Sequence, residues 1–441
     1  MSLGKTGTRR HFLEKKASGM VAAGLIASIP AVHAGETSEL KIALVGCGGR
    51  GCGAVKDALS ADAHVTCVAA ADVFPERAKA GIEGLKTVFG KRIAIPDDKI
   101  FIGFDAYKEI LKLDIDVVLL ATPQHFRPVM LKAAIAAGKH VFAEKPIAMD
   151  GAGVRLVLEA AQEAKNRKLN IVTGLTNRHC IPNREVIKRI NGGHIGDVVC
   201  ARAQRMGGSI WKRPRLPGDT EMQYQMRNWV NFNWMAGDYI NDVTIHQIDV
   251  GLWAMNDPTP TAAIGMGGRI ARHGIDTGDM YDSMAVTYEF DDGRFLQAYS
   301  RQIPGTWSDS RSYIYGTKGY AIIGNVGSHA EIIGEKPYLF DRKLWDLKRR
   351  KEYEHAALYR AVRSGGSTYV NNAFYTANST GAAVMGKLAT YTGKKVTWEE
   401  MLAYEEKKPD RYDWNATPPT LPNEQGLYKV AVPGIGWEYL P

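Results

Sequence analysis

The feature that most narrows the folds open to this chain is a strand-like run ending in a glycine turn. Residues 40–46, LKIALVG, are mostly apolar, and Gly46-Cys47-Gly48-Gly49-Arg50-Gly51 begins on the last of them and leads into AVKDALSA. A buried strand, a G-x-G-x-x-G turn and a helix, in that order, open a dinucleotide-binding unit. Gly46 permits the tight turn, Gly48 lets the backbone approach a pyrophosphate, and Gly51 lets helix and strand pack closely. The helix N-terminus then offers unpaired N–H groups to the phosphates. A second β-like run, HVTCVAAAD, ends at Asp72, 21 residues beyond Gly51. A carboxylate there accepts hydrogen bonds from an adenosine ribose and repels a 2′-phosphate, so NAD is the expected cofactor. Arg77, five residues on, leaves NADP open.

Beyond this unit, helices are expected near 76–89, 105–112 and 127–137, with strands at DVVLLAT (116–122) and HVFAEK (140–145). Strands alternating with helices predict an α/β fold with a parallel, doubly wound sheet. At about 150 residues per domain, 441 residues leave room for a second domain. Strands there are expected at 197–207, 282–293, 294–302 and 312–324, with a hairpin at Asp291-Asp292-Gly293. The tail beyond residue 402 is rich in Pro, Asn, Tyr and Trp and reads as irregular.

The first 34 residues read differently. Arg9 and Arg10 precede Phe12 and Leu13, then come ASGMVAAGLIASIPA and Val32-His33-Ala34. A basic segment, a short apolar stretch and a small-residue end make a targeting peptide and not a membrane span. The paired arginines resemble a twin-arginine export signal, which predicts cleavage after Ala34 and a periplasmic or other extracytoplasmic location. That route carries proteins already folded around a cofactor. The leader holds five Lys or Arg against one Glu, so it accounts for much of the net charge of +9. The remainder is only mildly basic and has no recognition motif, which argues against nucleic acid. WKRPR (211–215) and the run at 341–355 read as solvated surface. Five cysteines without regular spacing make neither a disulfide framework nor a zinc site. Cys47 and Cys52 read as small residues packed under the phosphate loop.

Three places carry candidate chemistry. Glu144-Lys145-Pro146 stands at a strand's C-terminal edge, where open α/β sheets bind ligands. A lysine there reaches both a nicotinamide ribose and a substrate hydroxyl. Asp242 and His246, in GDYINDVTIHQIDVGLW, fall one turn apart if that stretch is helical, with Asp249 three residues further. A histidine beside a carboxylate suits proton removal from an alcohol as hydride leaves its carbon. No further His or Cys cluster completes a metal site around D-x-x-x-H-x-x-D. The third place, Thr122-Pro123-Gln124-His125, follows another strand end and is positioned to close over the nicotinamide half of the dinucleotide.

These motifs together resemble the Gfo/Idh/MocA family (glucose–fructose oxidoreductase, inositol dehydrogenase, rhizopine catabolism), in the branch found in exported bacterial members. The resemblance runs from about Leu40 to Leu402 and rests on VGCGGRG, ATPQHFRP, AEKPIA, Asp-x-x-x-His, GTKG and YTGKKVTWEEM. It implies a leader over 1–34, an NAD(P)-binding Rossmann domain over 38–175, and a substrate-binding and oligomerisation α/β domain over 176–402. That second domain carries a large open, mainly antiparallel sheet, and an irregular tail (403–441) follows it. It also implies a homo-oligomer through the sheet, and 373–391 packing back near the first domain. Lys145, Asp242 and His246 match the family's catalytic trio, with His246 as proton acceptor. Gly46, Gly48, Gly51, Asp72, Thr122, His125, Glu144 and Lys145 are the expected cofactor contacts. Aromatic residues are dense before the trio's helix and suit stacking on sugar CH faces. Arg178 and Trp211 are the expected substrate contacts.

The function implied is hydride transfer between a sugar or glycoside hydroxyl carbon and a nicotinamide. Free NAD is scarce outside the cytoplasm, so the cofactor should be tightly retained and regenerated in place, for instance by a second sugar. Two rivals stand beside this. One is an NAD-dependent glycosidase or lyase that oxidises, eliminates, adds water and reduces again. The other is a non-catalytic sugar binder, against which the intact trio argues.

Overall fold

The computed structural model describes residues 38–435; the leader, and with it the expected export signal, lies outside them. Strand and helix alternate as β1 Leu40–Val45, α1 Gly49–Ala61, β2 Val65–Asp72, α2 Pro75–Phe89, β3 Ile100–Ile102, α3 Ala106–Leu111, β4 Val117–Leu120, α4 Arg127–Ala136, β5 His140–Ala143, α5 Gly151–Asn166 and β6 Ile171–Thr173. The six strands pair in parallel in the order β3-β2-β1-β4-β5-β6. Strand order reverses between β1 and β4, which opens a crevice at the carboxyl ends of the strands, over the glycine turn. Both faces of the sheet are covered, so β1 and β4 are buried almost throughout and read as continuous apolar runs.

A second layer follows: α6 Ile181–Asn191, β7 Val198–Gly207, α7 Glu221–Arg227, α8 Asn233–Ala236, α9 Ile245–Ala254, β8 Ala262–Gly268, β9 Ser283–Glu289, β10 Phe295–Gln302, β11 Arg311–Gly316, β12 Gly319–Gly324, β13 Ala330–Gly334, β14 Tyr338–Leu339, α10 Glu352–Arg363, α11 Ala373–Thr392, β15 Val396–Thr397 and α12 Trp398–Ala403. Nine strands form one mixed sheet, β14-β13-β12-β11-β7-β10-β9-β8-β15, antiparallel except where β10 runs parallel to β7. Its inner residues alternate with outer ones; in β9, Met284, Val286 and Tyr288 face the core. Helix α11 lies across that inner face, and its first turn places Ala373 and Ala377 in the first domain's core. Small residues permit this close fit: a Cβ on Gly386 would stand 2.2 Å from the Tyr288 hydroxyl.

Two expectations are corrected here. The single strand at 312–324 is a hairpin, because Thr317 and Lys318 turn the chain between β11 and β12. A side chain on Gly319 would collide with the Ile333 carbonyl, 2.4 Å away, so that corner needs glycine. The charged run at 341–355 is not solvated throughout. It feeds α10, which packs against α1 and buries Glu354 and His355 completely. The tail is irregular, as expected, and packs on its own chain: Trp414 stacks on Phe74 with ring centroids 5.0 Å apart.

Candidate active site

The glycine turn is shaped by what a side chain would hit. At Gly46 (φ 98°) a Cβ would lie 2.9 Å from the Ala121 backbone, and at Gly51 one would lie 1.8 Å from the Gly46 carbonyl oxygen. At Gly48 the space is open except for the Arg77 side chain at 3.8 Å, so its backbone is bare toward the crevice. Beside it Asp72 accepts hydrogen bonds from the Cys47 and Phe74 amides, at 2.7 and 2.9 Å. Burial pushes its carboxyl up from the ordinary value, against those amides and Arg77. These residues line a cleft of about 600 Å³ that continues to Thr122 and Pro123 at the end of β4. A bare glycine backbone at a helix N-terminus, with an acid at the next strand end, fits a dinucleotide. Cys47 is buried beneath the turn, and burial raises its thiol well above the usual range, which suits packing and not reactivity.

Lys145 stands two residues past the end of β5, and the bond from it to Pro146 is cis. Its Nζ donates to the Asp242 carbonyl oxygen at 2.5 Å and stands 3.8 Å from the Asp242 carboxylate. The stretch expected as plain helix holds a π turn over Ile240–Thr244 before α9 begins at Ile245. Such widened turns recur at functional sites. Asp242 does not orient His246, as the one-turn spacing suggested. Its carboxylate instead accepts from Gln124 Nε2 at 3.0 Å and faces Lys145. Gln124, unassigned from sequence, therefore joins the loop after β4 to the trio; its place just past a strand end was the available signal. The trio does not line the 600 Å³ cleft, but it adjoins the cleft's far end through Thr122-Pro123-Gln124. His246 is half-buried, and its Nδ1 lacks a hydrogen-bond partner. Burial, with Lys145, Lys351 and Arg205 nearby, depresses its pKa well below the usual value. A neutral imidazole results, the form able to accept a proton.

Other expected contacts are placed elsewhere. Glu144 is buried and ion-paired to Arg50 of the glycine turn at 2.7 Å, so it braces the turn and does not face the cleft. Burial opposes its charge, yet Arg50, Lys351, Lys145 and Arg127 hold its pKa down. His125 packs against Phe126, Trp234 and Tyr412, and Tyr412 lies 2.6 Å from its Nε2. Burial pushes its pKa down to about 4, and it is absent from the cleft wall. Its expected cofactor contact is therefore corrected: it is a packed structural histidine. Arg178 is corrected as well. Its guanidinium is consumed by Asp249 at 2.8 Å and Asp257 at 2.5 Å and lies over Tyr375, leaving nothing for substrate. Trp211 lines the same cleft as Asp72 and the glycine turn, a wall that Lys145, Asp242 and His246 do not join. Among the described residues, no His, Cys, Asp and Glu group is arranged to hold a metal ion.

A crevice for a dinucleotide, ending beside a lysine and a neutral imidazole, serves hydride exchange with a carbon that bears oxygen. Residues 40–171 match the oxidoreductase family with an NAD-binding Rossmann fold, and residues 183–322 match the GFO/IDH/MocA C-terminal domain. The chain belongs to that family of oxidoreductases, and its first domain is an NAD-binding one. Inositol 2-dehydrogenase of Rhizobium meliloti is 26% identical over 266 residues, 59% of this chain and 69% of that enzyme. 1,5-anhydro-D-fructose reductase of Ensifer adhaerens is 28% identical over 222 residues, 48% of this chain and 58% of that enzyme. The scyllo-inositol dehydrogenase of Lactobacillus casei, solved with NAD(H) and scyllo-inositol, superposes with a TM-score of 0.61 at 20% identity, covering 82% of this chain and 100% of that one. An aldose–aldose oxidoreductase of Caulobacter crescentus, solved with glycerol, gives 0.64 at 18% identity, covering 81% and 99%.

Proposed function

We propose that the protein is an NAD-dependent oxidoreductase of a secondary hydroxyl on a sugar or cyclic polyol, exported by the twin-arginine route with its cofactor in place. The observation that carries this is Lys145, set at a strand end beside the neutral His246 where the dinucleotide cleft finishes. When bound, the nicotinamide supplies the hydride acceptor or donor. His246 accepts the hydroxyl proton as the carbonyl forms. The Lys145 ammonium stabilises negative charge developing on that oxygen, and Gln124 and Asp242 hold the lysine in position. Relatives named for the oxidation of inositol and the reduction of an anhydro-sugar support a polyhydroxylated ring as substrate. Their net redox chemistry does not favour the bond-cleaving alternative. The paired arginines ahead of Phe12 support export.

The test is to incubate the protein with NAD and a panel of cyclic polyols, aldoses and nitrophenyl glycosides, following nicotinamide absorbance and nitrophenol together. Reduced nicotinamide or a ketosugar is the expected product. Nitrophenol released without either would overturn the reading. His246→Ala should lower turnover by about 10²–10⁴-fold, the usual share of a general base, while NAD still binds; unchanged turnover would remove the assignment.

A further inference from the structure

The cleft that receives the dinucleotide is not walled by the first domain alone. Its second wall comes from residues 211–229 of the other domain, which bring Trp211, Arg213, Arg227 and Trp229 opposite the glycine turn and Asp72. This wall is firmly tied. Asn231 donates to the Trp211 carbonyl at 3.2 Å, the Arg213 amide donates to Asn228 at 2.9 Å, and the Trp211 and Trp229 rings meet edge to face at 6.0 Å. Arg213 lies over the Trp211 ring at 5.3 Å. Across the cleft mouth, Arg227 pairs with Glu76 at 2.8 Å and lies 4.2 Å above the Phe74 ring, which Arg77 approaches at 4.8 Å. The tail closes the arrangement from outside: Trp414 stacks on Phe74, and its carbonyl accepts from Thr220 at 2.5 Å. Arg77, Arg213 and Arg227 all line this cleft, and burial with the two neighbouring charges depresses the Arg77 pKa.

We propose that the second domain holds the adenosine half of the dinucleotide through Trp211 and Arg213, so that the cofactor leaves only when this wall separates from the first domain. Asp72 places the adenosine ribose at this end of the cleft. An exposed indole offers a face for the adenine, since every base presents a π surface to stack. Arg213 and Arg77 offer charge-assisted donors to the adenosine phosphate, which carries the compensating anion. Slow release follows from geometry, because the tail and the Arg227–Glu76 pair fasten the wall to the floor. This inference rests on NAD binding by the first domain, and on nothing about the substrate.

The experiment loads the purified full chain with NADH, removes the excess, and follows the fluorescence decay during a chase with a large surplus of NAD. The Trp211→Ala, Arg213→Ala double variant should release NADH at least about tenfold faster than the wild type. Trp414→Ala, outside the cleft, should speed release by unfastening the wall. Trp307→Ala, a surface indole elsewhere, should not change it. ADP-ribose affinity should fall with NAD affinity in the double variant while nicotinamide mononucleotide affinity stays the same. Trp211→Phe, which keeps an aromatic face, guards against a folding defect and should restore most of the retention. Release at the wild-type rate from the double variant, or an equal loss of both half-ligands, would overturn the proposal. A wild-type chain that bound no NADH would refute the cofactor assignment itself.

Discussion

Arg178 shows how a residue's partners decide its role. Exposed, an arginine beside aromatic rings would be a plausible sugar ligand; here two carboxylates surround it and Ser379 completes the shell of Asp249. Removing one partner of such a buried pair leaves the other charge uncompensated, which costs about 3–5 kcal/mol. Arg178→Ala should therefore lower stability to urea by that amount while leaving the affinity for NADH intact. A loss of substrate affinity without any loss of stability would restore the substrate assignment. The same principle separates what could be foreseen in the site from what could not. Gly46, Gly48, Gly51 and Asp72 announce themselves because their function depends on local backbone geometry. The pairings of Gln124 with Asp242, Arg50 with Glu144 and His125 with Tyr412 join residues more than 90 positions apart, so a strand-end position could flag Gln124 and His125 but could not show what they meet.

At the level of elements, four of the first domain's six strands were legible, since parallel strands buried on both faces leave unbroken apolar runs, whereas the three-residue β3 and β6 are too short to leave one. The second domain was less so. The β11–β12 hairpin hid within one apolar run because its two-residue turn carries no Asn-Gly or Asp-Gly signal. Helix α10 hid for the opposite reason: its charged sequence resembles a solvated face, yet it packs His355 on Phe142 with ring centroids 4.1 Å apart. The cost of that burial is measurable at Glu354. Burial, reinforced by Glu144, raises its pKa to about 8, against the pull of Lys351 and Arg50. A carboxyl whose folded pKa is raised favours the folded state fully below its unfolded value near 4.5, and this contribution fades as pH climbs toward 8. Glu354→Gln keeps the neutral form at every pH. Its thermal midpoint should match the wild type near pH 5 and exceed it near pH 8.5; a constant difference across that range would show that the carboxyl is ionised throughout.

For the whole molecule, the outer face of the nine-stranded sheet poses a problem of its own. The inner face is covered by α9 and α11, but nothing in the described chain covers the outer one across its central strands. Met266, Ala285 and Tyr299 form one row across β8, β9 and β10, with Met266 74% exposed. Ile264, Phe295, Tyr313 and Ile322 extend the same face, among half-buried polar neighbours such as Arg202 and Gln297. Monomeric proteins rarely leave so broad an apolar surface in water, and a face paired with its own copy by two-fold symmetry is the commonest solution. We therefore expect a homo-oligomer joined through this sheet, burying more than about 1,000 Å². Two charges placed in one row would meet their symmetry mates across a dry interface and repel them. Met266→Asp with Tyr299→Asp should reduce the mass measured by light scattering to that of one chain, with NADH binding retained, because neither residue lines the cleft. A wild-type chain that already ran as a monomer would leave the face exposed and exclude the sheet as an interface.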